Sequence, residues 1–344
     1  TKSKAYCMQL GYEAQAKVLA SQIAAKELDQ QALQRELPPM FLQLSAGQNN
    51  PVSRSLKYMG YTFRSVSADI QAHPRTGLQG TVKGGELIAG KFLLDTLQLA
   101  LEQDSTGLQL DGFVKNYTNH NPTKFEAKLR GSILSKGASL QAQVFDTEGE
   151  KGIDLGVKAN LVENGYTVSL FPHNPVLAYR NFTINKDNYI YLGNDRKIRA
   201  DVDLLADDGT GLKIYSTATD SVNDITLSLN NINLKELSDV VPFLPKMEGM
   251  LGGDFHVFDN HETLSAMGSV NAEGFAFDGT RMGNLGADII YLPKGEGEHY
   301  ASAYISSEGT DVMEAEGTYY EKDEGLFDGT AHLHDFPLAL VNAF

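Results

Sequence analysis

A glycine-rich stretch is the first candidate for chemistry in this chain. Gly85-Glu-Leu-Ile-Ala-Gly90-Lys91 has the GxxxxGK spacing of a loop that holds phosphate with its backbone N–H groups and its lysine. Phe92 stands where that loop needs Ser or Thr, and Phe92 to Leu101 has the alternation of a strand instead of a helix. We therefore interpret Gly84, Gly85 and Gly90 as a turn or bulge, and we predict no nucleotide site.

Two histidines near the end of the chain are the candidate metal ligands. His332 and His334 share one side of a strand, and Asp335 is adjacent, but two imidazoles without a third ligand more often face solvent. No Gly-x-Ser-x-Gly, His-Glu-x-x-His or paired Cys/His arrangement is present. The sequence therefore predicts no metal, no cofactor and no enzymatic activity.

Strands are the elements that must position any site. From Tyr61 to Ser228 apolar and polar residues alternate, with turn residues about every eight to twelve positions. The clearest apolar sets are Leu97/Leu99/Leu101, Leu108/Leu110, Phe125/Ala127/Leu129, Leu140/Ala142/Val144, Leu155/Val157/Ala159/Leu161, Ile198/Ala200/Val202/Leu204 and Leu212/Ile214. The residues between them are mostly polar or charged, a pattern that is typical of an antiparallel sheet with one apolar face and that excludes a parallel α/β sheet.

An apolar sheet face needs a cover, which a second sheet, closure into a barrel or packed helices normally supply. Helices are few in this sequence, and no propeller signature is present. We predict a mainly β fold: an elongated, strongly curved antiparallel sheet that forms an open trough (β-taco), with an N-terminal helix and a short helix near 234–241. The residues predicted to line the trough and contact lipid are Leu97, Leu99, Leu101, Leu108, Leu110, Leu129, Val157, Val202, Leu204, Ile214 and Leu227.

The short helix interrupts the strand pattern between Asp224 and Phe258. Leu234, Leu237 and Val241 follow at i, i+3 and i+7, and Asn233 with Glu236 three residues on resembles a capping box. Pro242 and Pro245 are predicted to end the helix, and Gly249, Gly252 and Gly253 to form a tight turn before the next strand. We predict that Leu234, Leu237 and Val241 brace the open side of the trough or close it as a lid, with the brace favoured.

Three parts are predicted along the chain. Residues 1–60 form an N-terminal helical segment and loop, with a helix from Gln9 to Leu37 that caps the sheet or gates it. Residues 61–230 form a first trough segment, and residues 231–344 form the helix and a second trough segment. Since Leu333 to Val341 can be aligned with Leu229 to Leu237, we expect the second segment to be truncated at the start of a further unit.

The net charge limits the classes of binding partner that we expect, and the cysteine content limits the possible disulfides. The formal net charge is −15, which argues against a nucleic-acid partner and against flat docking on anionic lipid. The single cysteine, Cys7, allows no internal disulfide, and no apolar run is long enough to span a bilayer.

Several phrases resemble a known family. They are the short helix with its Pro-Gly exit, Phe171-Pro-His-Asn-Pro175 with Tyr179-Arg-Asn-Phe182, the strand Ile198 to Leu204, and the closing stretch Asp335 to Phe344. Together they resemble the TamB family of the larger AsmA-like group, the translocation and assembly modules, specifically its Bacteroidetes-type members.

The resemblance implies a periplasmic protein of Gram-negative bacteria that is anchored in the inner membrane. Its hydrophobic trough would conduct phospholipid, or another ligand with acyl chains, toward the outer membrane. The resemblance also implies a link to outer-membrane biogenesis with a BamA-like (TamA-type) partner. We therefore expect a lipid-binding or lipid-conducting segment. The alternatives are a structural or adhesive all-β surface protein without a ligand and, more distantly, a glycan-active enzyme.

Overall fold

The computed structural model describes residue 17 and residues 29–89, 92–117, 124–217, 222–241, 244–260, 263–321 and 325–335. The chain divides into two compact units, Thr1–Glu163 (unit 1) and Asn164–Phe344 (unit 2). Both units are mainly β, and their strands form open antiparallel sheet. The predicted fold class is confirmed.

Unit 1 is an antiparallel meander in which nearly every strand pairs with the next along the chain. Its strands are β1 (Met40–Gly47), β2 (Tyr61–Thr62), β3 (Ser65–His73), β4 (Gly77–Ala89), β5 (Phe92–Gln103), β6 (Gly107–Asn116), β7 (Phe125–Leu134), β8 (Gly137–Phe145) and β9 (Lys151–Val162). The short β2 and the longer β3 both pair with β4, while β1 pairs with β3. The long strands are the ones whose alternation is clearest in the sequence.

Unit 2 continues the same architecture with shorter strands at its start. Its strands are β10 (Gly165–Leu177), β11 (Arg180–Asn181), β12 (Thr183–Ile184), β13 (Tyr189–Gly193), β14 (Ile198–Leu205), β15 (Gly211–Ser216), β16 (Asn223–Asn233), β17 (Met247–Asp259), β18 (Leu264–Phe277), β19 (Thr280–Gly295), β20 (Glu298–Ser307), β21 (Thr310–Tyr320) and β22 (Leu326–Leu333). β12 and β13 both pair with β14, and from β14 to β22 each strand pairs with its successor.

Three short helices are described, and side chains cap each of them. They are α1 (Gln30–Arg35), α2 (Pro51–Tyr58) and α3 (Leu234–Val240). Asp29 caps α1 by accepting a hydrogen bond from Ala32 N, and Asn50 forms a capping box with Ser53 at the start of α2. The predicted helix from Gln9 to Leu37 lies outside the described residues as far as residue 28, apart from residue 17. Its described part is not one continuous helix, because Asp29 has an extended backbone as the N-cap of α1, and α1 ends at Arg35.

The predicted boundaries differ from the observed ones in two places. Residues 40–47 are not part of a helical segment, because they pair with β3 along its whole length. The two units divide after Glu163. No division falls near residue 230, because that residue lies inside β16, which pairs with β17 from Asn223 opposite Asp259 to Asn233 opposite Met250.

The predicted glycine turn after α3 is also wrong. Gly249, Gly252 and Gly253 lie inside the continuous strand β17, and a β-bulge occurs between Glu248 and Met250. Gly249 has a φ of +118°, a conformation that glycine adopts without strain. The three glycines therefore lie within β17, with Gly249 at the β-bulge, and they do not form a turn that precedes the strand.

Candidate functional site

The apolar residues of unit 1 form one continuous surface, which we call the apolar face of unit 1. Paired residues of adjacent antiparallel strands point to the same side of a sheet, so the strand register shows which side chains share a face. Four rows of paired residues run across eight strands, from β1 to β9 without the short β2.

The four rows are almost entirely apolar. They contain Met40, Ala72, Leu78, Gln103, Leu108, Ile133, Ala138 and Ala159; then Leu42, Ile70, Gly80, Leu101, Leu110, Gly131, Leu140 and Val157; then Leu44, Ala68, Val82, Leu99, Gly112, Leu129, Ala142 and Leu155; and then Ala46, Val66, Gly84, Leu97, Val114, Ala127, Val144 and Ile153. Gln103 is the one polar member of these rows, and its side chain is buried. All predicted lining residues of unit 1 therefore lie on one face.

Much of this face remains accessible to solvent. Leu140 is 49% exposed, and Val157 and Leu42 are 41% and 44% exposed. The other six predicted lining residues of unit 1 are half-buried. Within the described residues of unit 1, no second sheet packs on this face, so its leucines and valines remain available to an apolar ligand.

Helix α1 covers one end of the apolar face. Its Leu33 and the following Leu37 are only 5% and 3% exposed, and Gln30 Nε2 donates a hydrogen bond to the carbonyl oxygen of Ile133 at 3.4 Å. Val18, Leu19, Ile23 and Leu28, the other apolar residues of the predicted N-terminal helix, lie outside the described residues. Helix α1, which begins after Asp29, has the position of an end cap.

A small apolar cavity lies beside this helix end. It has a volume of about 200 Å³ and is lined only by apolar residues, namely Leu37, Met40, Ile70, Ala72, Leu78, Gly80, Val82, Leu99 and Leu101. Leu99 and Leu101 were predicted from the sequence as lining residues. The β1 and β3 members were missed, although Met40, Leu42 and Leu44 alternate with Phe41 and Gln43 in the pattern that identified the other strands.

Unit 2 has an apolar face built by the same register. One row contains Leu204, Leu212, Leu229, Gly253, Val270, Ala287, Ile305, Met313 and Leu333, and the next contains Val202, Ile214, Leu227, Phe255, Gly268, Ile289, Ala303, Ala315 and Ala331. The four predicted lining residues of this unit therefore share one face. Ile214 and Leu227 are half-buried, and Ile289 in the same row is 48% exposed.

Two predicted lining residues are core residues instead. Val202 and Leu204 are 1% and 2% exposed, too little for either to contact a ligand in this structure. Ile184 of β12 pairs opposite Leu204 and is itself fully buried, and Phe182 is 7% exposed. The sequence shows the alternation of β14 but gives no sign that the chain after β10 packs against it.

Helix α3 lies at the end of the apolar face of unit 2 where Leu204 is buried. Leu234 and Val240 are buried at 6% and 4% exposure, whereas Leu237 is half-buried and lines a cavity of about 70 Å³ together with Phe182 and Leu204. The helix ends at Val240, so Val240 is its second buried residue, and Val241, the predicted one, is a half-buried residue after the helix.

The start of α3 is capped as predicted, with one difference in detail. Asn233 accepts hydrogen bonds from the N–H groups of Lys235 and Glu236, which satisfies two free donors of the first turn. The Glu236 side chain bonds to the Asn233 amide and not to its backbone, and it also lies 3.4 Å from Arg180. Arg180 in turn pairs with Asp208 at 2.8 Å, which ties α3 to the β14–β15 turn.

The opposite face of unit 1 is polar and internally paired. The Asp154 carboxylate accepts hydrogen bonds from Gln141 at 2.6 Å, Gln143 at 3.0 Å and Lys151 at 2.7 Å. Burial raises the pKa of Asp154, but the bonds from Lys151, Gln143 and Gln141 outweigh it and hold that pKa below its ordinary value of 3.8. The two faces of the sheet are therefore chemically distinct.

The other candidates for chemistry do not assemble into sites. Phe92 begins strand β5, so no helix follows the glycine-rich stretch, and its Gly90 and Lys91 lie outside the described residues. His332 lies in β22 opposite Glu314, while His334 follows the end of that strand. Among the described residues, no cluster of three or more His, Cys, Asp or Glu side chains is placed to hold a metal ion.

None of the helices in the described part of the chain is long and apolar enough to cross a membrane.

Comparisons with known proteins identify no relative of the chain. The chain matches no protein-family profile, no curated protein and no solved structure.

Proposed function

We propose that this chain is a non-enzymatic lipid-binding segment whose apolar faces hold the acyl chains of a phospholipid. The observation that carries the proposal is the apolar face of unit 1, with its four rows across eight strands, which is open to solvent beyond the end that α1 covers. At about 4.8 Å between strands and about 6.8 Å between rows, this face spans roughly 34 Å by roughly 20 Å.

The physical driving force is the transfer of methylene groups from water to this face. Each fully buried CH₂ contributes about 0.8 kcal/mol, so an acyl chain that lies along a row and is half covered gains about half of that per carbon. The polar face of unit 1 carries hydrogen-bonded and charged groups such as Asp154 and offers no equivalent surface. Binding is therefore restricted to one side of the sheet.

The resemblance to the TamB family extends the proposal to transport. On that basis the segment belongs to a periplasmic bridge that conducts phospholipid between the inner and the outer membrane, with a link to outer-membrane biogenesis and a BamA-like partner. A row of similar apolar side chains without a polar interruption suits conduction, because a sliding acyl chain meets no group that must be desolvated.

A site-specific crosslinking experiment tests the proposal. A photoreactive phenylalanine analogue is placed at Leu110 on the apolar face or, as the matched control, at Asp111, the next residue on the opposite face. We expect phospholipid adducts at residue 110 and none at residue 111, together with phospholipid co-purifying in native mass spectrometry without detergent. A lipid-free protein with no adduct at residue 110 would instead support the structural or adhesive alternative.

A further inference from the structure

A broad depression lies mainly on the polar face of unit 2, although Phe255, Gly268 and Ile289 of the apolar face also contribute to its lining. It has a volume of about 1090 Å³ and extends over strands β15 to β19. Its central row consists of Tyr215, Thr226, His256, Met267 and Ile290, which pair one with the next across the five strands. These residues alternate with those of the apolar face of unit 2, so the depression opens on the other side of the sheet.

Large apolar side chains are exposed inside this depression. Met267 is 55% exposed, Tyr215 is 46% exposed and Phe258 is 44% exposed, although the surrounding face is mostly Ser, Thr and Asp. Single exposed apolar residues are common on protein surfaces, but a concave group of them on a polar face marks an interaction surface.

Carboxylates surround the apolar floor. Asp224, Asp254 and Asp288 line the depression, and within the described part of the chain none of the three forms an ion pair with a lysine or arginine. Asp224 instead contacts His256 Nε2 at 3.0 Å, and Asp254 accepts a hydrogen bond from Ser228. Asp254 and Asp288 lie two strands apart, which sets them roughly 10 Å from one another.

We propose that this depression binds a cationic amphipathic segment of a partner protein. The apolar side of such a segment packs on Met267, Tyr215 and Phe258, and its lysine or arginine side chains reach the carboxylates at the rim. A volume of about 1090 Å³ holds several side chains of one helical or extended segment. An anionic headgroup is disfavoured here, because the three carboxylates would repel it.

The test uses the whole chain and a rhodamine-labelled peptide of two LKKLLKL repeats, with binding followed by fluorescence anisotropy. We expect D254N/D288N to weaken binding roughly tenfold or more, since exposed ion pairs contribute up to about fivefold each. The matched control D69N/E102Q removes two negative charges from the polar face of unit 1 and should leave binding within about twofold. M267S, which changes no charge, should also weaken binding, and hydrogen exchange should slow in β16 to β19 when the peptide is bound.

Specific outcomes would overturn the proposal. Equal losses in D254N/D288N and D69N/E102Q would show that the peptide responds only to the net charge of −15. Equal binding of a Glu/Leu peptide, of an anionic phospholipid vesicle or of the M267S variant would show that the depression does not select a cationic amphipathic segment. An absence of peptide binding would refute it directly.

Discussion

Val202 and Leu140 offer a direct test of which apolar residues are covered. Val202→Ala removes two methyl groups from a side chain that is 1% exposed. Their transfer contributes about 1.6 kcal/mol, and the remaining cavity raises the total cost to about 2–3 kcal/mol. For a unit of this size, that loss lowers Tm by roughly 4–12 °C.

Leu140→Ala removes more carbon but is expected to cost less. Leu140 is 49% exposed on the apolar face of unit 1, so about half of its transfer free energy is available, and no closed cavity forms. We expect a loss of about 1.2 kcal/mol, half of the roughly 2.4 kcal/mol for three fully buried carbons. Binding should show the opposite order: Leu140→Ala weakens acyl-chain binding, whereas Val202→Ala leaves the binding surface of unit 1 unchanged.

Calorimetry and hydrogen exchange separate the two effects. Because the chain has two units, a single unfolding transition cannot be assumed, and exchange in peptides that cover β14 reports the stability of unit 2 alone. Lipid occupancy is measured in parallel by native mass spectrometry. A Leu140→Ala variant as unstable as Val202→Ala would show that the apolar face of unit 1 is covered in solution, which would refute the argument from exposure.

Three further predictions follow from individual side chains. Leu97→Asp should reduce phospholipid crosslinking several-fold in a folded protein, because a carboxylate on the apolar face must be desolvated or protonated, while Thr96→Asp on the opposite face should not. The lowered pKa of Asp154 contributes stability above pH 3.8 that is lost as the pH falls further, so Asp154→Asn should flatten the acid limb of an unfolding curve. Leu237→Ala should cost about 1–2 kcal/mol, below the 2–5 kcal/mol of a fully buried leucine, and unchanged stability and lipid occupancy would show α3 to be a mere connector.

The faces of the sheet could be predicted from the sequence because strand alternation is a local property. Leu97, Leu99 and Leu101 lie on one side of β5 whatever the rest of the chain does. The register then needs only antiparallel pairing of neighbours, which short turns enforce. The strand β1 was missed because its residues follow a Pro-Pro pair after a helical segment, and their partner strand β3 begins 18 residues after β1 ends.

Burial could not be predicted because it depends on contacts that are distant in sequence. Val202 and Ile214 have the same alternation and pair directly, yet Val202 is buried and Ile214 is half-buried. On the side of β14 away from Ile214, the two-residue strand β12 places the fully buried Ile184 opposite Leu204, two positions after Val202. A two-residue strand is too short to show a periodic pattern in the sequence. Its position beside β14 depends on how the chain folds back after β10.

Glycines explain how an apolar sheet face can persist without a second layer. In unit 1, a side chain at Gly131 would meet Leu140 and Leu110 at 3.4 and 3.5 Å, and one at Gly112 would meet Leu129 at 3.1 Å. The leucines of adjacent strands therefore lie over the glycines and bury part of their own surface within a single layer. This lateral packing accounts for half-buried leucines on an uncovered face. It also leaves the outer half of each side chain free, which is the surface that an acyl chain requires.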